Sequence, residues 1–376
     1  MATMTEGTQQ YAPGEHPDMK PPLGQSGVLF WLRKNLLSSW FSILLTVLAI
    51  VFLYFAIPPI LSWLLTDAVF NAESRLDCKE QGSGACWGFI GIRWDQFVYG
   101  FYPAAERWRA ILAFILMFVA IVPLLWQKVP MRKPLLWFAL AYPFIAYWLL
   151  VGGFFGLVEV DTAKFGGFLL TIVIGVTGIV CSLPLGIALA LGRQSEMVLI
   201  KVVSVAFIEF IRGVPLITLL FVASTMLNYF LPPGTTFDLI ARVLIMVTLF
   251  SAAYIAEVVR GGLQAIPKGQ TEAAQALGMS YWSTMQKIVL PQALKISIPG
   301  IVNTFIGLFK DTTLVVVIGL LDPLGMGRLA LADSKWQGLS TEIYVFIAIF
   351  FFICCFAMSR YSIYLEKKLH TGHKES

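Results

Sequence analysis

Long apolar runs alternate with short polar connections along most of the chain. Eight of them, at about 39–65, 110–126, 135–156, 166–191, 212–231, 238–258, 297–320 and 341–359, approach or exceed the roughly 20 residues with which a helix crosses a ~30 Å hydrocarbon core at 1.5 Å per residue. Inside each run the apolar residues are continuous. That predicts helices, because the strands of a membrane barrel alternate between lipid-facing and lumen-facing residues. The fold class read from the pattern is all-α, a polytopic membrane protein with about eight transmembrane helices. Two boundaries are blurred, at Arg212 and at Lys310, where a charge sits against an apolar run. One connection is unlike the rest: residues 259–296 form a polar, helix-favouring insert of roughly 35 residues between two runs.

Composition supports the same class. Hydrophobic residues make up 58% and charged residues 13%, and the mean hydropathy is +0.77, which leaves too little polar surface for a soluble globular domain. Placing both termini in the cytoplasm puts most of the 27 lysines and arginines, and the polar insert with them, on the cytoplasmic side, as the positive-inside rule requires. The net charge of +5 is then an orientation signature, and it calls for no nucleic-acid partner. Residues 1–30 are polar and rich in Pro and Gly, and are read as a disordered cytoplasmic tail. Histidine occurs only at His16, His370 and His373, no Cys/His cluster has metal-ligand spacing, and no phosphate-loop motif is present, so neither a metal site nor an ATPase site is expected in this chain.

The organisation changes near residue 160. Nine of the 11 tryptophans precede it, as expected of lipid-anchored spans with rings at the headgroups. Small residues become frequent inside the run that starts at Gly166, which predicts close helix packing. Residues 31–160 are therefore read as an accessory three-helix membrane region with a long outside loop, and 161–370 as the working core. Cys78 and Cys86 both lie in the outside loop; in an oxidising compartment they are candidates for a disulfide, the alternative being two free thiols.

The insert carries the clearest motif. Glu272-Ala273-Ala274 is followed by Gly278 and, after nine more residues, by Ile288, Leu290 and Pro291. Pro267 and Gly269 break the incoming helix, and strong helix formers follow. Ala274 and Gly278, four apart, share a face on which small side chains let another surface approach. Gly278 also permits the left-handed turn that ends the helix, Ser280 can cap the next one, and Pro291 is expected to stop that second helix. The plainer alternative is an amphipathic connector lying at the membrane surface.

Elsewhere, Glu209 and Arg212, three apart, can neutralise each other near the membrane, and Arg212 with Gly213 and Pro215 marks a start or a kink of the next span. Glu257 and Arg260 repeat that spacing at the entrance to the insert. These four are candidates for gating or for the interface. Lys310 and Asp311, with Thr312 and Thr313, interrupt an apolar run, and Asn303 lies two turns earlier. They are candidates to line a substrate path for a zwitterion, with an ion pair between neighbouring helices as the alternative. Arg242, close to the outer end of its span, is expected to snorkel to the headgroups.

The pattern E-A-A-x3-G-x9-I-x-L-P resembles the cytoplasmic coupling loop of ABC importer permeases. The ordered segments Gly166–Thr171, Ile208–Leu216, Tyr254–Gly262, Ile266–Gln270 and Lys310–Leu314 are similar to the polar amino-acid subfamily of those permeases over about 200 residues. The longer front part is similar to the larger permease of general L-amino-acid importers. The resemblance implies a permease core and ATP-driven import of polar L-amino acids, with Glu272, Ala273, Ala274, Gly278, Ile288, Leu290 and Pro291 meeting a separate ATPase. It further implies a bacterial inner-membrane location, a second and related permease chain, and a periplasmic amino-acid-binding protein. ATP and Mg would be held by the ATPase partner, with no cofactor in this chain. The alternatives are a permease of the same type for another small polar solute, or a passive channel.

Overall fold

The structure, a computed structural model, describes residues 27–126, 129–153, 155–226, 229, 232 and 237–369. Most of the expected tail, and all three histidines, lie outside these residues. Among the described residues there is no β-strand, only two isolated bridges, Val69 with Cys86 and Gly100 with Phe165. Five helices are long and apolar enough to cross a membrane, or seven if each of two bent pairs is counted as one span.

The chain divides into two compact units. The smaller comprises the residues up to Ala68 with Gly82–Ala85. It holds α1 (Val28–Asn35) and α2 (Trp40–Leu61), which a π-helical turn extends to Thr66. Ser39 caps α2, its hydroxyl accepting the Ser42 N–H at 3.2 Å. Helix α2 is apolar around its whole circumference and buries none of its residues, an arrangement that lipid tolerates and water does not.

The larger unit opens with three short helices, α3 (Arg75–Gln81), α4 (Gly88–Ile92) and α5 (Trp94–Tyr99). The sulfurs of Cys78 and Cys86 are bonded, with the Cα atoms 5.7 Å apart. This segment packs its apolar face, Phe89 and Phe97 foremost, on Trp336 and Ile343, and Arg93 pairs with Asp333 at 2.5 Å. Next come α6 (Arg107–Leu125) and α7 (Arg132–Val151), packed on each other. Arg109 is fully buried at the base of α6. It donates from Nε to the Leu149 carbonyl and from Nη1 to that of Val158, at 2.5 and 2.8 Å, which closes the hairpin through backbone acceptors.

The remaining long helices are α8 (Gly167–Arg193), α9 (Val198–Gly213), the short α10 (Leu216–Phe221) and α11 (Leu239–Gln264). They are followed by α12 (Lys268–Ala276), α13 (Tyr281–Thr284), α14 (Leu290–Asp311), α15 (Pro323–Ala330) and α16 (Ser340–Leu369). Helix α11 is central, packed on α8, α9 and α14. Its approach to α8 depends on Gly186, where a Cβ would stand 2.6 Å from Ile255 Cγ2 and 2.9 Å from the Ala252 carbonyl oxygen.

Each of the eight apolar runs has a helical counterpart, but two differ from their expected form. The fifth does not begin at Arg212. Helix α9 precedes it from Val198, and the chain then turns by 102° into Leu216–Met226, because Pro215 disfavours the α conformation at Val214, whose φ and ψ are −110° and 132°. Nor does Pro291 stop its helix. The helical path runs from Tyr281 to Ile318, with Pro291 in the first turn of α14 directly after a π-helical turn, Met285–Val289. The wider π-turn before it relieves the ring's clash with the preceding turn and shifts the hydrogen-bond register where proline has no N–H to give.

Candidate functional site

The polar insert folds as a helix, a turn and a second helix. Helix α12 ends in a Schellman motif: the Gly278 N–H bonds the Gln275 carbonyl at 2.9 Å and the Met279 N–H that of Ala274 at 3.1 Å. Gly278 has φ +75°, and a Cβ there would meet nothing within 4 Å, so the backbone angle and not crowding selects glycine. Ser280 caps α13, accepting the Ser283 N–H at 3.4 Å.

Exposure distinguishes the motif residues. Glu272, Ala273 and Gly278 are exposed, Ile288 and Leu290 half-buried, and Pro291 exposed. Ala274 is only 2% exposed, contrary to the expectation that it offers a face to another protein. It lies inward because α12 packs on the following segment, Tyr281–Val289, of the same chain, and its small side chain lets those two helices close. The surface actually presented includes residues that sequence reasoning did not single out. Leu277 is 82% exposed, and Tyr281 and Trp282 are exposed with rings 5.6 Å apart edge to face. Three large apolar side chains within a polar insert were the available signal. The insert is anchored at both ends: Val289 and Ala293 share a buried cluster with Ile255, Ala256, Val259 and Leu263 of α11.

Where the insert leaves α11, a group of charges forms around Glu257. Its carboxylate accepts from Arg260 Nε at 2.9 Å, and lies 3.3 Å from Arg193 and 3.8 Å from Arg212. Glu209 pairs with Arg193 at 2.8 Å. The expected Glu209–Arg212 pair is thus replaced by pairs between helices, since the ends of α8, α9 and α11 converge and Arg193 and Glu257 offer each residue a partner. Arg212 also lies over the Tyr254 ring, 5.7 Å from its centre. Arg193 had no signal in the sequence beyond being a cation at a helix end.

Arg242 does not snorkel. It is buried and donates to the carbonyls of Phe237 at 2.8 Å and Ser224 at 2.9 Å, so backbone oxygens inside the protein, and not headgroups, meet its charge.

The second candidate group lies along α14. Asn303 and Lys310, seven residues apart on one helical face, are both exposed, and among the described residues neither Lys310 nor Asp311 forms an ion pair. Asp311 is half-buried. Thr312 turns inward and is buried, its hydroxyl donating to the Phe309 carbonyl at 2.8 Å, and the Thr313 hydroxyl donates to Lys310 at 3.0 Å. Both threonines sit where α14 tightens into a 3₁₀ segment, Thr312–Ile318, and their hydroxyls bond carbonyls freed by that change. The structure therefore groups Asn303 with Lys310 and turns Thr312 away from them.

A family model described as binding-protein-dependent transport system inner membrane component matches residues 182–371. The glutamate/glutamine/aspartate/asparagine transport system permease protein BztC of Rhodobacter capsulatus is 46% identical, over 94% of this chain and 96% of that protein. The inner membrane amino-acid ABC transporter permease protein YhdY of Escherichia coli is 50% identical, over 95% of this chain and 97% of that protein. The probable glutamine ABC transporter permease protein GlnM of Bacillus subtilis is 32% identical over 93% of its own length but only 55% of this chain. Shorter relatives of this kind correspond to about half of the present sequence.

Proposed function

The chain belongs to the family of binding-protein-dependent transport system inner membrane components, and on that premise we propose that it is the permease subunit of an ATP-driven importer of polar L-amino acids. Acidic and amide amino acids are its leading substrates, because the two full-length relatives are named as amino-acid permeases and one of them as a carrier of glutamate, glutamine, aspartate and asparagine. The insert with Gly278 is the site where a separate ATPase docks, and that partner supplies ATP and Mg. The observation that carries this reading is the uncovered Leu277, Tyr281 and Trp282 beside Gly278, on a knuckle clamped to both α11 and α14. A push there moves two spanning helices together.

In this reading both termini and the insert are cytoplasmic, by the distribution of cations. The outer, disulfide-bonded segment meets a binding protein, and a second, related permease covers the α14 face. A lysine on a spanning helix is costly against lipid. The exposed Asn303 and Lys310 are therefore assigned to a polar path shared with that second permease, with Lys310 opposite a substrate carboxylate and Asp311 near its ammonium. Glu209, Arg212, Glu257 and Arg260 form the hinge by which movement of the insert reaches α8 and α9. A passive channel would have no use for an uncovered cytoplasmic knuckle of this kind.

The test is uptake of labelled glutamate into vesicles, with binding protein, ATPase and second permease added one at a time. Gly278→Asp places a charge and a strained φ, costing about 1 kcal/mol, on the docking surface. It is expected to abolish ATP-dependent uptake while leaving membrane insertion intact. Undiminished uptake by the variant would remove the coupling role.

A further inference from the structure

A cleft of about 250 Å³ lies between the hairpin α6–α7 and the helices α8 and α11. Its walls run along α6 from Ala113 to Ile121, along α7 from Ala139 to Val151 and along α8 from Leu169 to Cys181, with the first turn of α11 at one end. The void exists because α6 and α7 meet the core with alanines, Ala113, Ala120, Ala139 and Ala146, where bulkier side chains would fill the space. Few free polar groups are there to hold water: on the α8 wall the Thr177 hydroxyl is without a hydrogen-bond partner among the described residues. The Tyr142 hydroxyl already donates to the Ala113 carbonyl at 3.0 Å, and Thr162 and Asp238 bond each other at the α11 end. A cavity needs several free polar groups before it takes up water. The cleft opens sideways at Tyr147, Val180 and Cys181, all exposed, on helices that stand among acyl chains.

From this geometry we infer that the cleft is a binding site for one acyl chain of a membrane phospholipid, which completes the packing between the hairpin and the core. The length fits: from Ile172, the first lining residue of α8 that is not fully buried, to Cys181 a helix rises about 14 Å, close to the ~15 Å of one leaflet's hydrocarbon. The volume fits as well. An engineered apolar cavity of about 150 Å³ takes up benzene, so the larger space here holds about ten carbons by proportion. A rigid branched solute would leave voids and a strongly polar one would lose most of its partners; a flexible unbranched chain follows the apolar walls and meets a lone free hydroxyl, Thr177, on α8. The polar end at Thr162 and Asp238 marks the side on which the headgroup emerges.

The experiment uses the full-length chain in phosphatidylethanolamine–phosphatidylglycerol liposomes that contain a trace of phospholipid with a mid-chain diazirine. After irradiation, adducts are mapped by peptide. A chain held in the cleft reaches the inward-facing Met117 and Val173, which bulk lipid outside it does not touch. Adducts are therefore expected on these two residues in the native chain and, roughly threefold fewer, in Ala146→Phe combined with Val176→Phe, with labelling of the lipid-exposed α2 unchanged between the two. Absence of adducts at Met117 and Val173, or labelling there that the filled variant does not reduce, overturns the proposal. Should the variant fail to fold, the native chain serves. Alkylation of Cys181 by a membrane-soluble maleimide is expected to speed up roughly threefold on delipidation into detergent, and an unchanged rate overturns the site.

Discussion

Helices α2 and α11 are similar in length and both are apolar enough to span a membrane, yet they behave differently. None of the most apolar stretch of α2 is buried within its own unit, against 50% of that of α11 in the larger one. The difference lies in side-chain size and charge. Helix α2 carries Leu, Ile, Val and Phe on every side. Helix α11 places Ala252, Ala253 and Ala256 against its neighbours and Glu257 and Arg260 at its end. Hydropathy puts a helix in the bilayer, but small residues and paired charges decide whether it packs there, because lipid competes with apolar side chains on equal terms.

The sharpest test of the contrast is one kind of enlargement made in each setting. Gly186→Leu drives a branched side chain into Ile255 and the Ala252 carbonyl and is expected to cost at least about 3 kcal/mol, read as loss of monodisperse protein after extraction. Ala49→Leu on the exposed surface of α2 should change stability by less than about 0.5 kcal/mol. Equal effects would abolish the distinction.

Outside the spans, burial acts on a carboxyl group in the same way. Asp322 is fully buried at the start of α15, where it accepts the Gly325 N–H at 2.8 Å through Oδ1, while Oδ2 has no partner among the described residues. Burial pushes its pKa up to about 6, against the opposing pull of the Gly325 and Leu324 N–H groups and the Arg328 charge. A carboxyl whose pKa is raised by folding favours the folded state below its unfolded pKa. That contribution is lost as pH rises through about 6. Asp322→Asn is therefore expected to gain on the native chain between pH 4 and pH 8, by up to about 3 kcal/mol. A difference in melting temperature that does not vary with pH would contradict this.

Smaller effects are expected where the outer segment and the charged hinge join the helices. Cys78→Ser opens the Cys78–Cys86 bridge. It should cost about 2 kcal/mol, confined to the segment packed on Trp336, and should appear as faster proteolysis between α3 and α5 with the long helices intact. Glu257→Gln leaves Arg193, Arg212 and Arg260 facing one another around a neutral amide. Because these groups are partly exposed, the loss should be about 1–2 kcal/mol, seen as a lower melting temperature that added salt partly restores. A melting temperature equal to that of the native chain would show that the three pairs contribute nothing to the contrast with α2.

Much of this was legible in the residues. The apolar runs, the turn at Gly278, the cap at Ser280 and the break near Pro215 follow from local chemistry, which a linear sequence displays. What could not be read depended on which helix ends meet. The partners of Glu209 and Arg212 lie on α8 and α11, and Arg242 serves carbonyls of a segment some 18 residues away in sequence. Ala274 turned inward because the next helix of its own chain folds back on it.

The sequence by itself determined that this is a membrane-embedded bundle with one polar knuckle, because insertion depends on summed transfer energy over about 20 residues and turns depend on the φ that each residue allows. Only the tertiary structure decided which charges pair, which small residues become interfaces, and that Leu277, Tyr281 and Trp282 stay uncovered. Those outcomes depend on distances between segments remote in sequence, and van der Waals contact and ion pairing act only over the few ångströms that the folded chain brings together.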